Sequence, residues 1–185
     1  LEYLAGVVKG DGTLYYNKRA REYVVEIYDR DVEYAVILAD MLRICGFNPH
    51  LRSYGSYYRV RVNSKEFYEL IGEAIERLLQ LPTVSFVRGL FDSDGTLYFD
   101  RRKRRPYPIV ELGNSDSRVV NAAAVTLSSL GVRYSVKNYG GRFFKLVARG
   151  SNAVLFAKLV KPLHPVKFSP LFCLVSSSPP PKPAH

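Results

Sequence analysis

The stretch Leu4 to Tyr16, LAGVVKGDGTLYY, returns at Val87 to Phe99 as VRGLFDSDGTLYF. Both copies carry a glycine near the start, then Asp-Gly-Thr-Leu-Tyr and a closing aromatic. A fixed-offset repeat of this kind commits a chain to two copies of one structural unit. The repeat continues downstream. Asp11 and Asp94 are 83 residues apart, VEIYDRD (25–31) and VELGNSD (110–116) are 85 apart, and YYRV (57–60) and FFKL (143–146) are 86 apart. A drift of three residues fits duplication followed by small loop insertions. In a chain of 185 residues each copy could fold alone only marginally, so two halves sharing one core are expected.

Each copy reads as helix, strand, strand, helix, strand, strand, helix. The fold class is therefore α+β: two pseudo-symmetric αββαββα halves packed through their motif helices. The halves are assigned to residues 1–81 and 82–175, joined at LLQLPTV, where Pro82 ends the preceding helix. The tail SSSPPPKPAH, residues 176–185, reads as disordered or polyproline II. Gly12 and Gly95 are expected to close the motif helices in a left-handed conformation. Tyr23, Val25 and Ile27 alternate with Val24, Glu26 and Tyr28 along a strand. Asp31 and Asp116 are placed as helix N-caps, and Gly46 and Gly131 as the glycines ending those helices. Strands should turn at Tyr54-Gly55 and Tyr139-Gly140-Gly141, and the last helices should start near Ser64 and Ser151.

Within the motif, Gly6 and Gly10 sit four residues apart, as do Gly89 and Ser93. Small residues at that spacing let two helix backbones approach closely. The motif helices are therefore expected to cross about an approximate two-fold axis. Asp11 and Asp94 then meet at the same end. Two adjacent carboxylates repel, and each also faces the negative end of a helix dipole. Hard divalent cations relieve that repulsion, since they take carboxylate and carbonyl oxygens.

The formal net charge is +10, and its distribution says more than its size. Residues 1–117 hold 17 basic and 17 acidic side chains; residues 118–185 hold 10 basic and no acidic ones. A basic surface of this kind attracts a polyanion, through release of condensed counterions. Cys45 and Cys173 form no Cys-x-x-Cys pair, and His50, His164 and His185 have no ligand spacing, which argues against zinc. Cys45 follows an apolar helix pattern and is assigned to the core. No apolar run reaches transmembrane length, and an intracellular, soluble protein is expected. The chain begins almost on its first motif, which suggests that a further segment precedes it.

The two motifs, LAGVVKGDG and VRGLFDSDG, resemble those of the LAGLIDADG homing endonucleases. The first matches at Leu4, Ala5, Gly6, Asp11 and Gly12, and the second at Gly89, Leu90, Asp92, Asp94 and Gly95. The second departs at Val87, Arg88 and Ser93, which leaves its acidic position intact. The resemblance implies a monomeric enzyme that cuts both strands of a long double-stranded DNA site by metal-assisted phosphodiester hydrolysis. It implies Mg2+ as cofactor, with Mn2+ or Ca2+ able to take its place. The metal-binding acids fall on Asp11 and Asp94, with the backbone carbonyls of Gly10 and Ser93 as further ligands. The polar residues near the metals fall on Asp29 and Arg30 in one half and Asn114 and Ser115 in the other; Arg30 and Asn114 are the catalytic candidates among them. Because the halves differ here, the two cleavage steps are expected to differ in rate.

The resemblance also implies that antiparallel sheets form a DNA-binding saddle, and the alternation selects its face. Tyr57, Arg59, Arg61 and Asn63 share one side of a strand, and Phe143, Lys145 and Arg149 match them in the second half. Arg52 and Tyr54, Lys137 and Tyr139, and Tyr15, Glu26, Tyr28 and Glu111 are assigned to the same surface. Arginine there can read guanine, and glutamate can accept from cytosine. The hairpin DRRKRRPYP supplies Arg101, Arg102, Lys103, Arg104 and Arg105, expected to hold phosphates. Two rivals remain open: an RNA maturase or DNA-binding regulator of the same fold without cleavage, and a purely structural protein with a basic face. Two acids retained at a crowded helix crossing favour the enzyme.

Overall fold

The computed structural model describes residues 1–100, 102, 107–167 and 169. The first half runs α1 (Glu2–Asp11), β1 (Gly12–Asn17), β2 (Glu22–Asp29), α2 (Val32–Ile44), β3 (His50–Ser53), β4 (Tyr58–Asn63) and α3 (Lys65–Gln80). The second repeats it as α4 (Val84–Asp94), β5 (Gly95–Asp100), β6 (Tyr107–Asn114), α5 (Ser117–Ser129), β7 (Ser135–Tyr139), β8 (Phe143–Arg149) and α6 (Ser151–Val160). Each half holds one antiparallel sheet, in the orders β1-β2-β4-β3 and β5-β6-β8-β7. The α+β class and the paired αββαββα halves are thus as expected. Among the described residues no helix is long and apolar enough to cross a membrane.

The helix ends follow local chemistry. Asp31 accepts a hydrogen bond from Tyr34 N, Asp116 from Arg118 N and Ser64 from Phe67 N, so each satisfies a donor that the first turn leaves free. Gly46 and Gly131 take positive φ just past α2 and α5, as a helix-ending glycine does. Gly55, Gly140 and Gly141 do the same in the hairpin turns. α6 starts at Ser151 as expected, with Gly150, at φ +58°, as its N-cap.

The motif helices end otherwise than expected. Gly12 and Gly95 are extended, with φ −106° and −80°, and lead straight into their strands. Glycine is needed for space, since a Cβ on Gly12 would lie 2.6 Å from Val8 Cα and one on Gly95 2.9 Å from Phe91 Cα. Cys45 also departs from its core assignment. It is exposed, because α2 turns its stripe of Tyr34, Ala35, Leu38, Ala39 and Leu42 inward and ends at Ile44. Cys173 and the tail 176–185 lie outside the described residues.

One hydrophobic cluster joins the halves. Val25, Ile27, Val60 and Val62 face it from one sheet, and Val110, Leu112, Leu146 and Ala148 from the other. Leu4, Val7 and Val8 of α1 and Phe86, Leu90 and Phe91 of α4 lie in the same cluster. At the crossing of α1 and α4 there is no room for side chains. A Cβ on Gly89 would sit 2.7 Å from Val7 N, and one on Gly6 3.0 Å from Leu90 N. Thr83 Oγ1 fixes one end of the helix pair by donating to Glu2 over 2.8 Å. This crossing brings the C-terminal ends of both motif helices together.

Candidate active site

Asp11 is the last residue of α1 and Asp94 the last of α4. Both are half-buried. A Cβ on Gly10 would lie 3.4 Å from Asp94 Oδ2, which shows how closely the second acid approaches the first helix. Burial pushes the Asp11 carboxyl up to about 6; the charges of Asp94 and Asp29 add to this, and Lys167 opposes it. Asp94 is also raised, first by burial, with the Asn114 hydrogen bond and the charges of Lys167 and Lys9 pulling it partly back.

The two halves surround their acids differently. Asn114 Nδ2 donates to Asp94 Oδ2 over 2.6 Å, and Asn114 Oδ1 accepts from Asp116 N. The corresponding first-half residue, Asp29, accepts from Asp31 N over 2.7 Å, and its other oxygen lies 3.5 Å from His164 Nε2. Burial opposes ionisation of Asp29, but His164, Asp31 N and Lys167 together hold its carboxyl below the usual range. Arg30 is exposed and lines the cleft of about 550 Å³ that opens over Asp11, Asp29, Ser93, His164 and Lys167. Ser115 is exposed.

His164, Lys167 and Asp92 are parts of this site that the sequence did not assign. Asp92 is fully buried, and it accepts from Leu163 N at 2.9 Å, His164 N at 3.2 Å and the Tyr3 hydroxyl at 2.9 Å. It therefore ties down the segment after α6. His164, also buried, stacks on Tyr34 with ring centroids 4.4 Å apart. Lys167 Nζ donates to Asp92 O over 2.9 Å and also to Ser93 O. The one available signal was KPLHPVKF (161–168), in which His164 and Lys167 interrupt an apolar, proline-bearing run.

At the motif position of Asp92 the first half has Lys9, which forms a 2.9 Å ion pair with Asp116 in the second half. Lys9 and Arg118 hold the Asp116 carboxyl well below the usual carboxylate range, with Arg118 contributing most.

The residues at the crossing fit a hard divalent cation in donor chemistry. Two partly desolvated carboxylates, each raised above its ordinary pKa, meet beside the carbonyls that end two helices. Among the described residues there is no group of three or more His, Cys, Asp or Glu that could hold a metal. Such a site is open, and water and substrate oxygens would complete it.

The assigned recognition residues that the strands carry lie on the sheet faces turned away from the core. In the first half, Arg59 lies between Tyr28 and Arg52, and Arg61 lies opposite Glu26. Glu26 is buried, with Arg59 at 3.2 Å, Arg61 at 3.6 Å and the Tyr28 hydroxyl donating at 2.6 Å. That carboxylate is enclosed by its own neighbours. Arg52 and Arg59 place guanidiniums 5.5 and 4.8 Å from the Tyr54 ring centre, and Tyr54 stacks on Tyr57. Tyr15 is half-buried on β1.

In the second half Lys145 pairs with Glu111 at 2.9 Å, and Tyr98 donates to the other Glu111 oxygen. Lys137 is exposed and in register with Lys145. Tyr139 is exposed, and Arg149 donates to Ser135 Oγ. Arg102 binds Asp100 through its side chain. Arg101, Lys103, Arg104 and Arg105 lie outside the described residues.

Two similar halves are thus joined by a backbone-tight helix crossing, with an acid at the end of each motif helix. A family model described as a LAGLIDADG-like domain matches residues 82–161, the second half. The fold is similar to that of the homing endonuclease I-DmoI. A crystal structure of I-DmoI with DNA and Mn covers 88% of this chain and 96% of its own, with a TM-score of 0.67 and 21% identity. A K262A mutant of I-SmaMI is similar over 95% of this chain and 90% of its own, with a TM-score of 0.63 and 10% identity. An uncharacterized protein of Methanocaldococcus jannaschii, MJ0314, is 29% identical over 154 residues, covering 74% of this chain and 56% of the relative. A second from the same organism, MJ0398, is 28% identical over 103 residues, covering 51% of this chain and 38% of the relative. The chain thus spans about half the length of the first of these curated relatives, and less of the second.

Proposed function

We propose that the chain is a site-specific endonuclease that cuts both strands of a long DNA duplex with divalent metal, in the manner of an intron- or intein-encoded homing enzyme. The observation that carries this reading is the meeting of Asp11 and Asp94, one acid from each half, at one end of the helix crossing. Folding gains nothing from placing two carboxylates there. A pair of hydrolytic positions related by the pseudo-two-fold axis gives them a purpose, and one chain supplies both. The I-DmoI structures with DNA and with Mn or Ca support the same class of substrate and cofactor.

Asp11 and Asp94 would hold Mg2+ or a similar ion, with the carbonyls of Gly10 and Ser93 beside them. When bound, the ion supplies Lewis-acid stabilisation of phosphoryl charge and eases formation of the attacking hydroxide. The chain's own residues do the rest. Asn114 fixes the rotamer of Asp94. Arg30, at the rim of the cleft, is free to contact a scissile phosphate. The sheet faces carry Arg52, Arg59, Arg61, Lys137 and Arg149 toward the duplex, where phosphate contacts set register and base contacts set specificity.

The test is a cleavage screen of a randomised duplex library in Mg2+ or Mn2+, with the ends of the products sequenced. Cuts on both strands at one long site are expected. Retention of specific duplexes with no cut in either metal would instead leave a binding protein or maturase of the same fold.

A further inference from the structure

Lys167 reaches the crossing from outside both motif helices. Its Nζ donates to Asp92 O and Ser93 O, the carbonyls at the end of α4. Ser93 O is also the oxygen that the reading above gives to a metal. The ammonium bears on both acids, since its charge lowers the pKa of Asp11 and of Asp94 alike. Its delivery is built in. Asp92, fully buried, holds the backbone of Leu163 and His164. His164 Nδ1 accepts from Lys167 N over 3.2 Å, which leaves Nε2 to carry the proton that faces Asp29. A lysine that merely capped a helix would not need a buried carboxylate and a buried imidazole to position it. The first half has a lysine one residue before Gly10, but Lys9 is held by Asp116.

Resting on the reading that divalent ions bind between Asp11 and Asp94, we infer that Lys167 is a tethered cation holding the second-half ion position. A divalent ion enters the Ser93–Asp94 side only by displacing it. The unit charge satisfies the two carbonyls and tempers the carboxylate repulsion while no divalent ion is bound. A phosphate arriving with the duplex offers the displaced ammonium a new partner, which couples ion entry to substrate. The first-half position, at Asp11 and Gly10, feels the charge of Lys167 but lies off the two carbonyls that its ammonium holds.

Calcium titrations of the DNA-free protein by calorimetry test this, on the wild type, Lys167→Met and Lys167→Arg. Lys167→Met should bind Ca2+ about tenfold more tightly at one position, because the competing cation is gone, while Lys167→Arg stays near wild type. Acetic anhydride labelling of the wild type, read by mass spectrometry, needs no variant: modification of Lys167 should rise severalfold on saturation with Ca2+. Equal Ca2+ affinity in wild type and Lys167→Met overturns the inference and leaves the metal reading standing. Labelling of Lys167 that is unchanged by bound Ca2+ does the same. Absence of Ca2+ binding in all three proteins overturns the inference and the metal reading together.

Discussion

Asn114 Nδ2 donates to Asp94 over 2.6 Å, whereas the residue at the same place in the first half, Asp29, is a carboxylate turned toward His164. The two acids therefore work in different settings. Asp94 has a neutral amide donor fixing it, and Asp11 faces the charges of Asp94 and Asp29. Asp11→Asn and Asp94→Asn should each abolish double-strand cleavage while specific binding survives. Asn114→Ala should slow cleavage of one strand about 10–100-fold and leave the other nearly unchanged, as loss of a ligand-orienting partner does. Strand-specific end-labelling of a nicking time course reads both. Full double-strand cutting by either aspartate variant would remove the acids from the mechanism.

The raised carboxyl of Asp11 sets a pH dependence. Its folded-state value is about 6, above the ordinary value of 3.8. Between those two values the folded state binds more protons than the unfolded chain, so this group lowers stability as pH rises through that window. Asp94 acts in the same direction. In the metal-free protein, Asp11→Asn should therefore raise stability above pH 6 by about 1–2 kcal/mol and flatten the slope from pH 4 to 6. Urea unfolding at several pH values measures this. A variant with the wild-type slope would mean that Asp11 titrates normally.

Gly89 and Gly72 offer a matched pair. Both lie inside helices, where alanine is intrinsically favoured by roughly 1 kcal/mol. A Cβ on Gly89 would press on backbone atoms, 2.7 Å from Val7 N and 3.0 Å from Gly6 Cα. On Gly72 its nearest neighbour is Leu14 Cδ2 at an ordinary 3.9 Å. Gly89→Ala should destabilise the protein by about 1–3 kcal/mol, because the crossing has to open, and Gly72→Ala should stabilise it by up to about 1 kcal/mol. Denaturant midpoints at constant m-value decide it; two effects of the same sign would contradict the crossing.

Charge on the second sheet divides in a similar way. Lys137 is exposed and Lys145 is paired with Glu111. Lys137→Ala should flatten the plot of log affinity against log salt by about 1, the loss of one phosphate contact. Lys145→Ala should change it less, since Glu111 holds that ammonium away from a phosphate. Binding titrations over a range of salt on cognate and mismatched duplexes separate phosphate holding from base reading. A slope unaltered by both changes would mean that this face stays off the DNA.

What the sequence revealed was local or repeated. Asp31 and Asp116 are legible as caps, and Ser64 as a helix start, because a cap bonds within three residues. Gly6, Gly89, Asp11 and Asp94 are legible because duplication displays them twice. Lys167 and His164 are not legible, since their partners Asp92 and Ser93 lie more than 70 residues away and the other half offers no copy. Glu26 is a related case: period-two alternation puts it on the outer face, but only the pairing of β2 with β4 reveals the two arginines that close over it. The ends of α1 and α4 are not legible, because glycine serves both a left-handed turn and a tight approach, and the sequence pattern is identical for the two.

The tight contact of Gly6 with Gly89 has a last consequence for how such a molecule can change. The acids are spaced by main chain pressed on main chain, a contact that the outer faces of the sheets do not touch. On the proposed reading, each sheet can drift toward a new target while the interval between the acids stays constant. Exchange of whole halves between relatives that keep both glycines should give hybrids with a working pair of acids from the first generation. The crossing acts as a standard coupling between interchangeable parts.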